Sequence, residues 1–220
     1  PNSSKTYEEI FKEIIIETGD YDFQIDTSWI AYQYVRDTWI SSKFIETFGP
    51  KRNYDDPLKQ HHKDIAAALQ NRIEEIIIHH LKNAKKEFGL KKLCLAGGVG
   101  LNCSLNGKII KEKIFDEIFV QPASGDNGAA IGACFLAHQE LTGTLEPKKY
   151  HDFYLGSSFT DHEIESLLKS RKIVFEKSEN IFSKVASELF DKKIIGWFQK
   201  SAEFGPRALG NRSILTSPFP

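Results

Sequence analysis

Between Ile65 and Phe88 apolar residues return every third or fourth position, at Ile65, Leu69, Ile73, Ile76, Ile77, Leu81, Ala84 and Phe88. That spacing predicts a long amphipathic helix, and Gly89 stands where a left-handed residue would close it. Two shorter helices are predicted ahead of it. Ile10, Phe11, Ile14 and Ile15 share helical spacing over Ser4 to Glu17, behind a loop and cap at Pro1-Asn2-Ser3-Ser4. Ser41 to Phe48 is a second amphipathic segment, closed by Gly49-Pro50. Between them "YDFQID" alternates like a short strand, and "KRNYDD" reads as a polar loop leading to Pro57.

Past Gly89 the period changes. Lys92 to Ala96 is a short apolar run that ends in Gly97-Gly98, and a helix carrying Leu105, Ile109 and Ile110 follows. "DEIFVQP" then predicts a second buried strand, "ASGDNG" a turn, and Ala129 to Leu141 an Ala-rich helix. Strand, turn, helix, strand, turn, helix is a βαβα unit, so the expected class is α/β with a parallel sheet. Thr142 to Ser158 shows little periodicity and suits a linker. Thr160 and Glu163 form a capping box in front of "TDHEIESLL", after which "KIVFEK" reads as a strand, "NIFSKVASELF" as a helix and "KIIGWFQ" as a strand. No internal repeat is evident.

Composition narrows the function classes. Of 220 residues 40 % are hydrophobic, enough for a core, and 29 basic against 30 acidic residues leave a formal charge of -1. No field collects nucleic acid or anionic lipid, so neither is an expected partner. Cys94, Cys103 and Cys134 lie in small or apolar surroundings without CxxC spacing and are expected to be reduced core thiols, which points to the cytoplasm. There is no bilayer-length apolar run and no signal pattern at the start. The chain opens on Pro1, contains no Met and stops just after a strand-like run, so it reads as a piece of a longer polypeptide.

The glycine turn carries the first chemical signal. A strand that ends in Gly97-Gly98 and opens into a helix offers unobstructed N–H groups at a sheet edge, a seat for phosphate or nucleotide. The same glycines would also serve tight strand-helix packing, and spacing alone leaves both readings open. Asp126, in the turn after the next strand, should emerge on the same edge. It is placed to ligate a metal ion, or to cap the helix expected to start at Asn127.

At this point five segments become decisive: "LCLAGGVGLNCSLNGKI", "FVQPASGDNGAAIGAC", "KFIETFGP", "QHHKDIAAALQ" and "IIGWFQKSAEFGPRALGNRSIL". Together they resemble the nodulation-type and antibiotic-tailoring O-carbamoyltransferases, with "EFGPRALGNRSIL" the most specific element. The resemblance implies an actin/hexokinase-like domain similar to the tRNA threonylcarbamoyl-transfer protein, then a domain similar to threonylcarbamoyl-AMP synthase. It implies residues 1–145 as the second half of the actin-like domain, 146–178 as a linker and 179–220 as the start of the synthase-like domain. The implied reaction runs from ATP and carbamoyl phosphate through carbamoyl-adenylate to the O-carbamoylated hydroxyl of a small-molecule acceptor.

By the same resemblance Gly97, Gly98 and Asn102 are expected to hold the adenylate, and Asp126 to ligate the transfer-site metal, usually iron. Two histidines four apart on a helix would complete that shell. This chain offers only the adjacent pairs His61-His62 and His79-His80, whose rings diverge by about 100° on a helix. His62 and Asp64 match the family's helix start, with Asp64 as the expected cap. Arg207 and Arg212 lie in a turn held by Gly205-Pro206 and Gly210 and are expected to bind the phosphates of carbamoyl phosphate and ATP. A salt bridge to Glu203 or a solvent-facing role is the alternative. Trp197, Phe198 and Phe204 are expected in the core. The remainder of its own polypeptide is an expected partner, homodimerisation is left open, and an isolated chain is expected to be inactive. Two other functions stay open: an actin-like small-molecule kinase, and a nucleotide-binding module without chemistry.

Overall fold

The computed structural model describes residues 5–144 and 153–218. The predicted cap at Ser4 and residues 145–152 of the predicted linker lie outside the described residues. The chain forms two compact units. One holds the described residues through Leu93 together with Cys103–Ile118, and the other holds Cys94–Asn102 together with the described residues from Phe119 onward.

The first unit begins with α1 (Lys5–Ile14), β1 (Ile15–Glu17) and β2 (Phe23–Ile25), with β1 and β2 antiparallel. The predicted first helix therefore stops early, and its last residues are strand. The cause is a residue far along the chain. Arg72, 7 % exposed, donates from Nε and Nη2 to the Ile15 carbonyl at 3.0 and 2.8 Å, and Asp26 N–H donates to the Ile14 carbonyl at 2.9 Å. Carbonyls that a continuing helix would satisfy are satisfied from outside, so the backbone is free to extend.

Next come α2 (Ser42–Phe48), capped by the Ser41 hydroxyl on the Phe44 N–H, and α3 (Gln60–Phe88), closed by Gly89 in the left-handed region. Both match the pattern in the sequence. Phe11, Ile14, Trp29, Phe48 and Ala68 make the core of this unit, with Phe44 and Phe48 4.3 Å apart. The predicted cap at Asp64 is not what starts α3. The His62 ring accepts the Lys59 N–H through Nδ1 at 3.1 Å, while Asp64 accepts from Gln60 at 2.8 Å. Asp64 lies too far into the first turns to reach the unpaired N–H groups that a cap serves.

After α3 the chain runs through β3 (Lys92–Leu95), α4 (Cys103–Glu112), β4 (Glu117–Val120) and α5 (Ala129–Thr142). β3 and β4 pair, with Asp116 N–H on the Lys91 carbonyl and Gln121 N–H on the Leu95 carbonyl. Both strands are climbed in the same direction, so this sheet is parallel and the α/β class is as expected. α4 buries Leu105 and Ile109 and leaves Ile110 exposed.

The expected core thiols are a correction: Cys94, Cys103 and Cys134 are all free and exposed. A two-stranded sheet leaves one face open, and Cys94 sits on it beside Lys92. α5, which carries Cys134, buries no residue.

The second unit ends with α6 (Asp161–Ser170), α7 (Ile181–Phe190) and the antiparallel strands β5 (Ile195–Phe198) and β6 (Arg212–Leu215). The Thr160/Glu163 capping box is present in both directions. "KIVFEK" is not a strand: none of the described strands pairs with it, and Ile173, Val174 and Phe175 are exposed. Trp197 is half-buried against Phe182, with ring centres 5.9 Å apart. Phe204 is half-buried, whereas Phe198 is exposed rather than core, since alternate side chains of β5 face away from the covered side.

Candidate functional site

Three loops of the second unit meet around the glycine turn. β3 runs out at Leu95, and Gly97 follows with φ +90°, a backbone conformation that side-chain-bearing residues rarely adopt. Its N–H donates to the Ser124 carbonyl at 2.6 Å, joining the turn after β3 to the turn after β4. Gly98–Leu101 then forms one turn of 3-10 helix, with Asn102 N–H on the Val99 carbonyl at 2.9 Å. The predicted helix thus starts one turn later than the glycines suggest, at Cys103.

The glycines of this turn have different reasons to be glycine. A Cβ at Gly100 would stand 3.1 Å from Ser124 Cβ and Oγ, so packing keeps it small. A Cβ at Gly98 would meet nothing within 4 Å, and its φ is not in the left-handed region. Neither packing nor backbone strain requires Gly98 to lack a side chain. Gly98 shares this freedom with Gly107, Gly132 and Gly196, and differs from them in lying in the turn at the end of β3.

The turn after β4 places Ala123 and Ser124 inside and Asp126 outside. Asp126–Gly128 is itself one 3-10 turn, and neither it nor α5 receives a side-chain cap. The capping alternative for Asp126 therefore gains no support, because the residue sits within the turn rather than ahead of the helix. Among the described residues no three His, Cys, Asp or Glu side chains converge as a metal shell. One histidine of each pair is engaged. His62 caps α3, and His79 joins Glu17 through Nδ1 and Asn83 through Nε2. Burial first, then the charges of His61, Arg52 and Lys59, hold the His62 pKa below its ordinary value. The residues present do not by themselves fit a metal site.

The third loop joins β5 to β6, and its organiser is Glu203, 4 % exposed. Oε1 accepts the backbone N–H groups of Leu209, Asn211 and Arg212 at 2.8, 2.8 and 2.9 Å. Burial pushes this carboxyl up, but the accepted N–H bonds outweigh it and hold the pKa down at about 2. Glu203 is thus committed to backbone, and the alternative of a salt bridge to Arg207 or Arg212 is not realised. Asn211 and Tyr154 brace the same loop, donating to the Ser201 and Leu209 carbonyls at 2.8 and 2.9 Å.

Gly205 has φ +129°, and a Cβ built on it would stand 2.6 Å from the Pro122 carbonyl oxygen. The loop is pressed backbone to backbone onto the turn after β4. Arg207, exposed, donates from Nη2 to the Leu101 carbonyl at 3.0 Å. Arg212 is the first residue of β6 rather than part of the turn, and its Nη2 lies 3.4 Å from the Gly205 carbonyl. The structure therefore brings Arg207 against the turn that carries Gly97, Gly98 and Asn102, while Arg212 reaches the Gly205 carbonyl. Ser124 Oγ and Glu203 Oε2 are buried in these loops without a hydrogen-bond partner among the described residues. Sequence reasoning gave Ser124 no role and took Glu203 only as a possible salt-bridge partner of the arginines. The signal for Glu203 was its place at the head of a Gly- and Pro-rich loop whose N–H groups needed an acceptor.

Residues 5–135 match the family model described as Carbamoyltransferase N-terminus, and 186–220 match Carbamoyltransferase C-terminus. The chain is 36 % identical to the nodulation protein NolO of Bradyrhizobium diazoefficiens over 97 % of this chain and 38 % of that protein. It is 42 % identical to the nodulation protein NolNO of Sinorhizobium fredii, over 74 % of this chain and 25 % of that protein. An uncharacterized protein of Synechocystis sp. is 40 % identical over 91 % of this chain and 34 % of its own length. The chain spans between a quarter and two fifths of the length of these relatives. No helix among the described residues is long and apolar enough to cross a membrane.

Proposed function

The chain belongs to the carbamoyltransferase family, and from that membership we propose that it carries part of an ATP-dependent O-carbamoyltransferase, with an actin/hexokinase-like frame around the β3–β4 sheet. The first half-reaction joins a carbamoyl oxygen to the α-phosphate of ATP. Pyrophosphate and the inorganic phosphate of carbamoyl phosphate leave, and one water balances the equation. In the second, the hydroxyl oxygen of a small-molecule acceptor attacks the carbamoyl carbon. The bond to AMP breaks, and the hydroxyl proton passes to solvent.

In this reading the Gly97–Leu101 turn seats the adenylate, with Asn102 beside it, and Arg207 and Arg212 supply charge for phosphate. The observation that carries it is Gly98, which has no partner to avoid within the chain yet bears no side chain. A backbone left bare at a sheet edge lets a phosphate approach N–H groups directly. Asp126 is proposed as one metal ligand. The rest of that metal's shell is not present among the described residues.

The experiment is to incubate the full-length protein with ATP and carbamoyl phosphate and follow pyrophosphate. Release that requires both substrates supports the reading. ADP in place of pyrophosphate would point instead to a kinase of the same superfamily, and pyrophosphate from ATP alone would remove carbamoyl phosphate from the reaction.

A further inference from the structure

We propose that the Glu203–Arg212 loop is a wall of the nucleotide seat on the glycine turn, with Arg207 engaging the nucleotide phosphate there and Glu203 holding the loop in place. This rests on the reading of Gly97–Leu101 as that seat. It departs from the expectation that the arginines serve a separate site.

Two contacts, made by different chemistry, carry the proposal. The first is the bond from Arg207 to the Leu101 carbonyl, which spans 106 positions of sequence to reach the last residue of the 3-10 turn. A guanidinium has five N–H donors. This bond uses one, and no described carboxylate pairs with the rest. It fixes the planar fork beside the turn while leaving donors for two oxygens of a phosphate, the geometry in which arginine exceeds lysine. The second contact is Gly205 on Pro122, too close for any side chain. Loop and turns are therefore seated against each other at two points, and the buried Ser124 hydroxyl of the turn after β4 has no hydrogen-bond partner among the described residues.

Glu203 acts at a distance from the ligand. Its three backbone bonds fix residues 209, 211 and 212, and so close the loop that presents Arg207. It is a positioning residue, working through the arginine.

The test uses the full-length protein, with AMP as the probe in calorimetry and thermal unfolding as a check on the fold. Arg207→Met is expected to weaken AMP at least tenfold with Tm unchanged, and Arg207→Lys to recover only part of the loss. Glu203→Gln should weaken AMP less than Arg207→Met does. The double variant should bind AMP no worse than Arg207→Met alone, because Glu203 has nothing left to position. Losses that add would remove Glu203 from this role. If Gly98→Val abolishes AMP binding and Arg207→Met leaves it intact, the seat stands and the loop is no part of it. If Arg207→Met loses AMP while Gly98→Val keeps it, the phosphate site lies elsewhere and the shared wall is wrong. If neither variant changes AMP binding, the seat itself is wrong and the wall falls with it.

Discussion

Glu203 and Arg212 are joined through the backbone and not through their charges: Oε1 accepts the Arg212 N–H at 2.9 Å while the guanidinium turns to the Gly205 carbonyl. The charge of Glu203 is thus stabilised by peptide dipoles, which do not titrate. Its pKa is held at about 2, below the ordinary 4.5. A depressed carboxyl contributes stability that is fully present above the unfolded pKa and is lost as pH falls through the folded value. Thermal unfolding of the full-length protein should therefore lose Tm from about pH 4.5 down to about 2 through this group. Glu203→Gln should be less stable at neutral pH and should show a shallower fall across that window. Parallel curves for the two proteins would mean that the loop does not depend on the ionised carboxylate.

Gly98 and Gly205 make opposite forecasts. At Gly98 a side chain is free of clashes, so Gly98→Val should leave Tm nearly intact while abolishing binding of a carbamoyl-adenylate analogue. Gly205→Ala meets both a left-handed φ and a carbonyl oxygen at 2.6 Å. It should cost about 1–3 kcal/mol in chemical denaturation. A neutral Gly205→Ala would mean that the loop is not pressed onto Pro122.

Arg72 tests how the first helix is ended. Arg72→Met keeps the aliphatic stem and removes both bonds to the Ile15 carbonyl. Losing charge-assisted bonds to a partly buried acceptor should cost about 1.5–3 kcal/mol, read from the denaturant midpoint. Circular dichroism should show no gain of helix, since Asp26 still binds Ile14. A silent variant would leave the early end of α1 without its proposed cause.

These cases also mark what could be read before folding. α3, Gly89 and the Thr160/Glu163 box were legible because each is a local pattern whose partners lie within one or two turns. The βαβα unit was legible because its period changes sharply at each end. The strand at Ile15 was not, since it depends on a guanidinium 57 positions away. "KIVFEK" has a strand's composition but no chain to pair with, and propensity alone does not make a strand. At the site, Gly97, Gly98, Arg207 and Asp126 stood out by residue type. Glu203 did not, because a buried carboxylate that serves only backbone N–H groups looks in sequence like any surface glutamate.

Asp126 is the residue on which local structure and chemistry make the most separable claims. It is exposed, lies inside its own 3-10 turn, and provides no cap for that turn or for α5. Asp126→Asn should therefore change folding stability by less than about 0.5 kcal/mol, the ordinary range for a surface substitution. If Asp126 is a ligand, the same variant should lower the divalent metal content of the full-length protein, because a neutral amide oxygen binds such an ion less well than a carboxylate. Pyrophosphate release from ATP and carbamoyl phosphate should persist, and carbamoylation of the acceptor should fall with the metal. We expect the second and third readouts to move and the first to stay. Unchanged metal content with normal transfer would remove Asp126 from the site and leave the glycine turn and the Arg207 loop as its whole extent on this chain.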